Sequence, residues 1–314
     1  MTSSAEAPPA LAPDADQPIR YIERTRAWYA ALGYGNPYQY AQFAEVPFAP
    51  LAKPLSQARL ALVTTAAPYR PELGAQGAGA PYNAAAKFYA VYSGDTDADH
   101  DLRVSHVAVD RAHQSDDANC WFPLPALRRA VASRRIASLA RRFHGAPTNR
   151  SQRHTLAVDA HEVLARCRED GADAVVLVPN CPVCHQSLSL IARVLEADGL
   201  PTVIMGAAKD IVELCGVARF LFSDFPLGNA AGRPFDVASQ DATLEMALCV
   251  LESAPAPRTT VQSPLLWPGP ASWRADYLNL ARMTAEDIAR ERAANDQIKQ
   301  VAQGVRDATL AVKR

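Results

Sequence analysis

Two cysteines three residues apart, Cys181 and Cys184, stand in the segment Pro179-Asn180-Cys181-Pro182-Val183-Cys184-His185-Gln186, directly after an apolar run. Thiols at this spacing lie one helical turn apart, within reach of a disulfide where the backbone allows it. Cys181 falls at the first turn of the helix expected to follow, where free amides and the positive dipole end favour a thiolate. Pro182 suits that turn, because its missing N–H would have had no partner there. Four chemistries fit the pattern. Cys181-Pro182-Val183-Cys184-His185 matches the C-x-x-C-H of c-type haem attachment, but attachment follows export and residues 1–20 carry no export signal. Cys181, Cys184 and His185 can supply three zinc ligands, without a second Cys/His cluster to support them. In a redox reading, Cys181 attacks an electrophile or disulfide and Cys184 resolves the mixed species. In the fourth reading both are inert core residues. Strand-end position, the proline and the pairing together favour the redox or nucleophilic reading.

A displacement at carbon also needs a proton donor and groups that hold the substrate, and polar residues at strand ends are the places to look. Thr64, Thr65, His106, Asp110, Asn119, Asn180 and Gln186 are the candidates for substrate binding, with His185 beside the thiols as a catalytic partner for Cys181. The other cysteines, Cys120, Cys167, Cys215 and Cys249, read as packing residues.

The elements that must position these residues follow from periodicity. Apolar runs bounded by turn residues predict buried strands over 59–65, 174–178, 201–205 and 218–222, and a further strand is expected over 103–109. Helical spacing predicts helices over 22–32, 158–170, 183–198, 209–215 and 240–252, with Gly171 and Gly199 as stops, and one amphipathic helix or two short ones over 124–142. The arginines of 124–142 read as a solvated basic face. Residues 66–86, dense in Gly, Ala and Pro, form a long loop of the kind that carries function. Strands alternating with helices predict an α/β fold with parallel sheet covered on both faces. Ligands in such sheets sit beyond the carboxyl ends of the strands, where Cys181 falls. The expected organisation is a disordered lead-in (1–20), a first α/β lobe (21–150), a second lobe with the thiol motif (151–256) and a mostly helical C-terminal extension (257–314). The lobes are expected to be two similar Rossmann- or flavodoxin-like units facing a common cleft.

Composition limits the function classes. About half of the 314 residues are apolar, enough for a sizeable core, and a formal net charge of -1 gives no electrostatic case for binding nucleic acid. Nothing approaches the roughly 20 apolar residues that span a bilayer, so no membrane partner is expected. A cytoplasmic location with reduced thiols follows as an expectation.

The stretch from Asp173 to Arg193, with its Pro-Asn-Cys-Pro-Val-Cys-His-Gln core, resembles the active-site region of the selenoprotein B family, the B proteins of glycine, sarcosine, betaine and D-proline reductases, and most closely the last. The blocks from His106 through Asp110 to Asp117-Ala118-Asn119-Cys120-Trp121, Trp28 to Tyr34 and Pro50 to Leu55 are similar to the family too, so the resemblance covers roughly residues 20 to 255. It implies an oxidoreductase in which Cys181, standing where the family has selenocysteine, is the nucleophile of a reductive cleavage of a carbon–heteroatom bond, C–N first, in a small amino-acid-like substrate. Cys184 then forms a Cys181–Cys184 disulfide, with disulfide as acceptor, and an external dithiol or thioredoxin-like reductant serves in place of a bound cofactor. The family's reductases work with a pyruvoyl-bearing partner subunit, so a partner reductase subunit is implied, and a homo-oligomer is also expected. The alternatives are a small-molecule or zinc-binding protein that uses Cys181, Cys184 and His185 as ligands, and a non-catalytic subunit of a reductase complex.

Overall fold

The computed structural model describes residues 17–36, 38–104 and 106–312, so most of the lead-in expected over 1–20 lies outside the described residues. In chain order the strands are β1 (Arg59–Thr64), β2 (Ala67–Pro68), β3 (Tyr92–Asp95), β4 (Leu102–Arg103), β5 (Ser138–Leu139), β6 (Arg142–Gly145), β7 (Ala174–Val178), β8 (Thr202–Gly206), β9 (Arg219–Phe222) and β10 (Thr259–Gln262). The helices are α1 (Tyr21–Ala31), α2 (Leu124–Ala132), α3 (Gln152–His154), α4 (Ala160–Glu169), α5 (Pro182–Ala197), α6 (Lys209–Cys215), α7 (Val237–Ser253) and α8 (Ala285–Val312). A π-helical stretch, Thr155–Asp159, joins α3 to α4.

The fold is α/β, with a mostly parallel sheet in the order β10-β9-β8-β7-β1-β6-β3; β5 pairs with β1, and β3 with β6 is the antiparallel pair. Strand β7 is buried along its whole length, as its unbroken Ala-Val-Val-Leu-Val run requires. Its alternate side chains feed two cores: Val176 and Val178 join Leu60, Leu62 and the apolar faces of α2 and α7, while Val175 and Leu177 join Ala61, Val63 and residues of α4 and α5. Gly171 and Gly199, both at positive φ, stop α4 and α5 as expected.

Strands expected in two separate lobes lie in one sheet. β1 and β7 are neighbours in parallel register, Thr64 opposite Val178. From β1 the chain reaches β6 on one side, then crosses back to β7 on the other and continues outward through β8, β9 and β10. The reversal places a topological switch point at the carboxyl ends of β1 and β7.

Three expected elements differ. The helix expected over 124–142 stops at Ala132; Arg134 turns the chain at φ 62°, and β5 and β6 follow. Four of its arginines are ion-paired, Arg128 with Asp99, Arg129 with Asp241, Arg135 with Glu245 and Glu252, and Arg142 with Glu169 and Asp170, while Arg134 and Arg141 are exposed as expected. The strand expected over 103–109 overlaps β4 only at Arg103; the Val104 carbonyl accepts from the Gln114 side chain at 2.8 Å, residue 105 lies outside the described residues, and Val107 and Ala108 form a turn. The extension expected from 257 begins with β10, a parallel edge strand of the sheet, before it turns helical. Cys120, Cys167 and Cys215 are core residues as expected, but Cys249 is exposed on α7 beside Glu245 and Arg135.

His144 on β6 is wholly buried, with Ser93 Oγ 2.9 Å from Nδ1 and Asp170 3.6 Å from Nε2. Burial, partly opposed by Asp170, lowers its pKa from 6.5 to about 4. The unfolded chain therefore binds the extra proton first, so this residue's contribution is complete above pH 6.5 and lost as pH falls towards 4. Between pH 7 and 5 it should cost about 2 kcal/mol of stability. Urea unfolding of wild type and His144→Gln at both pH values tests this: the variant should lose less stability on acidification by about that amount, and equal losses would contradict it.

Candidate active site

The loops leaving β1 and β7 meet at the switch point. The Asn180 backbone N–H and side-chain amide both donate to Thr65 Oγ1, at 3.2 and 3.1 Å, which ties the two strand ends together. Cys181 follows as the N-cap of α5, in extended conformation (φ -122°, ψ 171°), with Pro182 opening the helix. Its sulfur accepts from the Cys184 N–H at 3.2 Å, so a thiol fills the place that a serine or aspartate oxygen takes at most helix starts. Both cysteines are buried; Cys184 has no exposed surface and Cys181 keeps 5%. Neither is in a disulfide.

The third member of the cluster is His106. Its Nε2 lies 3.0 Å from the Thr65 carbonyl, which can only accept, so Nε2 carries a proton; Nδ1 faces Cys184 Sγ at 3.6 Å, where it accepts from the thiol or, as imidazolium, donates to the thiolate. The ring nitrogen and both sulfurs lie within 4.8 Å of one another, all buried. Thr65 Oγ1 already accepts twice from Asn180, so its own proton goes to Cys184. Asn180 Oδ1 is buried without a protein donor among the described residues.

Burial raises both thiols, but the surrounding donors separate them. On Cys184, hydrogen bonding from the Cys181 thiol, the charge and hydrogen bond of His106 and the Thr65 hydroxyl overcome burial and draw the pKa well below the ordinary value. Cys181, buried and facing that anion, is pushed well above it. The first negative charge therefore settles on Cys184 and not, as the helix-end position alone suggests, on Cys181. One backbone amide meets Cys181, while three side chains converge on its neighbour.

His185 is turned away from the thiols. Its Nε2 accepts from the N–H groups of Ala207 and Ala208 at 2.9 and 3.1 Å, so the proton is on Nδ1 and goes to the Cys181 carbonyl at 2.8 Å. The ring needs Gly206 beneath it, where any Cβ would sit 2.9 Å from Nε2. With both nitrogens engaged, His185 fastens α5 to the end of β8; it neither activates Cys181 nor completes a metal set with the thiols, and His106 takes that place.

The remaining candidates are drawn into the framework. Gln186 accepts from Ala41 N at 2.7 Å and donates to the Tyr38 hydroxyl, holding the segment before β1 over α5. Thr64 Oγ1 accepts from Ala66 N, Asp110 is bonded to His113, and Asn119 donates to Asp117 within its own turn. The structure thus brings together Thr65, His106, Asn180, Cys181 and Cys184, and uses Thr64, Asp110, Asn119, His185 and Gln186 elsewhere.

Two cations beside the thiols were not among the candidates. Arg150, in the loop after β6 at φ 61°, donates to Tyr29 Oη at 2.8 Å and acts electrostatically on Cys181. Lys87, whose ammonium lies 4.8 Å from the centre of the Tyr89 ring, interacts electrostatically with both thiols; burial, with Arg150 adding to it, lowers its pKa to about 8. The signal for Arg150 was β6 itself, since β6 adjoins β1 and its loop must leave at the same sheet edge.

The chain is similar to D-proline reductase subunit gamma. With that protein from Acetoanaerobium sticklandii it shares 29% identity over 217 residues, 68% of this chain and 87% of the subunit. Two glycine reductase complex component B gamma subunits are also similar: that of Carboxydothermus hydrogenoformans, 27% identical over 60% of this chain, and that of Symbiobacterium thermophilum, 25% over 64%. The aligned parts span 44% and 47% of those two proteins, less than half their length. No family model and no solved structure matches the chain. The resemblance read from the thiol motif is thus borne out by relatives named as components of D-proline and glycine reductases. Among the described residues, no helix is long and apolar enough to cross a membrane.

Proposed function

We propose that this chain is the thiol-bearing component of a reductase that cleaves a carbon–heteroatom bond, C–N first, in a small carboxylated amine. The observation that carries the reading is the pair of free, buried cysteine sulfurs at the switch point, within 4.8 Å of each other. Cys181 attacks the substrate carbon and displaces the amine, which leaves with a proton. Cys184 then attacks the Cys181 sulfur; the S–C bond breaks, the carbon takes the second proton, and the disulfide forms. Overall, R–X and two thiols give R–H, H–X and one disulfide, and an external dithiol restores the thiols.

His106 and Thr65 hold Cys184 for this second attack, and His106, within 4.8 Å of both sulfurs, is the group we assign to take up a thiol proton. Lys87 and Arg150 suit a substrate carboxylate, and Asn180 Oδ1 suits an amine N–H. The names of the relatives support a partner subunit as part of the working enzyme. The test is single turnover without added reductant: reduced protein is mixed with a panel of carboxylated amines, and the Cys181–Cys184 peptide is followed by mass spectrometry. One amine should be released per disulfide formed. Disulfide formation independent of every amine, with and without candidate partner subunits, would sink the reading.

A further inference from the structure

We propose that the reduced pair and His106 form a zinc site, with Cys181, Cys184 and His106 as the three protein ligands and the fourth position left to water or an exogenous donor. Bonds of about 2.3 Å to sulfur and about 2.05 Å to nitrogen place an S,N ligand pair roughly 3.6 Å apart on a tetrahedral ion, and two sulfurs roughly 3.8 Å apart. Cys184 Sγ and His106 Nδ1 are separated by 3.6 Å, and all three donor atoms fall within 4.8 Å. The Cys184–His106 edge already has the tetrahedral length, and Cys181 completes the set within 4.8 Å of both.

A second observation is independent of these separations. Metal-bound histidines usually donate their other ring N–H to a carboxylate or backbone carbonyl, which fixes the tautomer and aims the lone pair. His106 does this already, through Nε2 to the Thr65 carbonyl at 3.0 Å. The sulfurs have matching support, the Cys184 N–H on Cys181 and the Thr65 hydroxyl on Cys184. His185 has no nitrogen left to offer, so the ligand set differs from the contiguous Cys-x-x-Cys-His of the motif.

Binding involves no change of oxidation state: one zinc ion replaces two thiol protons and gives a bis-thiolate complex. Closing the disulfide removes the same two sulfurs as ligands, so metal and disulfide exclude one another, and a zinc-loaded site is held reduced and shielded from attack on substrate. The inference shares residues with the reductase reading but does not depend on it.

The purified chain, reduced and stripped of metal, is titrated anaerobically with cobalt(II) and then zinc. One equivalent of cobalt should give the intense visible bands of a tetrahedral ion and a thiolate charge-transfer band, and one equivalent of zinc should erase them. Protein carrying the Cys181–Cys184 disulfide should take up neither. His106→Ala should lose the tetrahedral spectrum. Thr65→Val, which keeps the carbonyl and removes the hydroxyl, should bind about 10- to 100-fold more weakly; it is the second variant should His106→Ala fail to fold. Absence of stoichiometric cobalt in the reduced wild type, or binding that neither substitution alters, overturns the zinc site. Iodoacetamide labelling of Cys181 in the metal-free protein is the separate control: labelling without cobalt binding removes the zinc site alone, and cobalt binding with an inert Cys181 removes the nucleophile alone.

Discussion

Cys181→Ser is expected to reduce amine release to background, a loss on the order of 10⁴-fold or more, whereas Cys184→Ser should complete one attack and stop. The asymmetry follows from the positions of the two sulfurs. Cys181 alone has exposed surface, so the carbon under attack must approach it, and serine at an N-cap keeps the structural bond to the amide of residue 184 while losing the nucleophile. Cys184 lies behind it, against His106 and Thr65, where no substrate reaches but the neighbouring sulfur does. The Cys184→Ser protein should therefore carry the mass of the substrate fragment on Cys181, released by added small thiols only slowly. Intact-mass spectrometry after mixing with a turned-over amine reads both outcomes. An adduct on Cys184 in the Cys181→Ser protein would reverse the roles, and turnover by both variants would move the chemistry away from the pair. His106→Ala should lie between them, with attack retained and resolution slowed, because the side chain that orients Cys184 is gone.

Much of this site is legible in the sequence, and the gaps have physical causes. The junction of β7 with α5 can be read because its signals are local: five apolar residues without a break, then a polar residue, a cysteine, and a proline that suits only the first helical turn. His106 can be recognised as a candidate, but its partner cannot. The bond to Cys184 spans 78 residues and depends on β1 and β7 lying side by side. That adjacency joins strands expected in separate lobes, and no periodicity within either segment encodes it. His185 illustrates the reverse error. Its place beside the thiols suggests catalysis, yet residues i and i+1 on a helix point about 100° apart, so the ring next to Cys184 faces β8. Arg150 is missed because the short strand β6, four residues without strong alternation, is not read as a strand: its first residue, Arg142, closes the expected arginine-rich helical stretch and the rest gives no signal.

The largest expected loss of stability comes from a buried ion pair behind the site. Arg219 on β9 and Glu196 in the last turn of α5 are 2% and 1% exposed and meet at 2.9 Å. Glu196 also accepts from Ala49 N, Thr202 N and Thr202 Oγ1, and Arg219 donates to the Ala49 carbonyl and lies over Phe48. Burial raises the Glu196 pKa, with these donors and Arg219 working against the shift. Removing one partner of such a pair costs about 3–5 kcal/mol, because the other charge stays behind without compensation. Against a total stability of roughly 5–15 kcal/mol, Glu196→Gln should leave the fold marginal. Arg219→Met should cost less at mildly acidic pH than at neutral pH, since Glu196 then escapes its penalty by taking up a proton, an option the guanidinium lacks. The pair also anchors Phe48 and Ala49, and the same stretch of chain continues back to Tyr38 and Ala41, which Gln186 holds over α5. Weakening the anchor should loosen that cover, so Cys181 in Arg219→Met should alkylate faster under conditions where the protein remains folded. Urea titrations at pH 7 and 5.5, with labelling of Cys181 at zero denaturant, measure both effects. A loss below about 1 kcal/mol for Glu196→Gln would mean that water enters to solvate Arg219, and unchanged labelling would separate the anchor from access to the thiols.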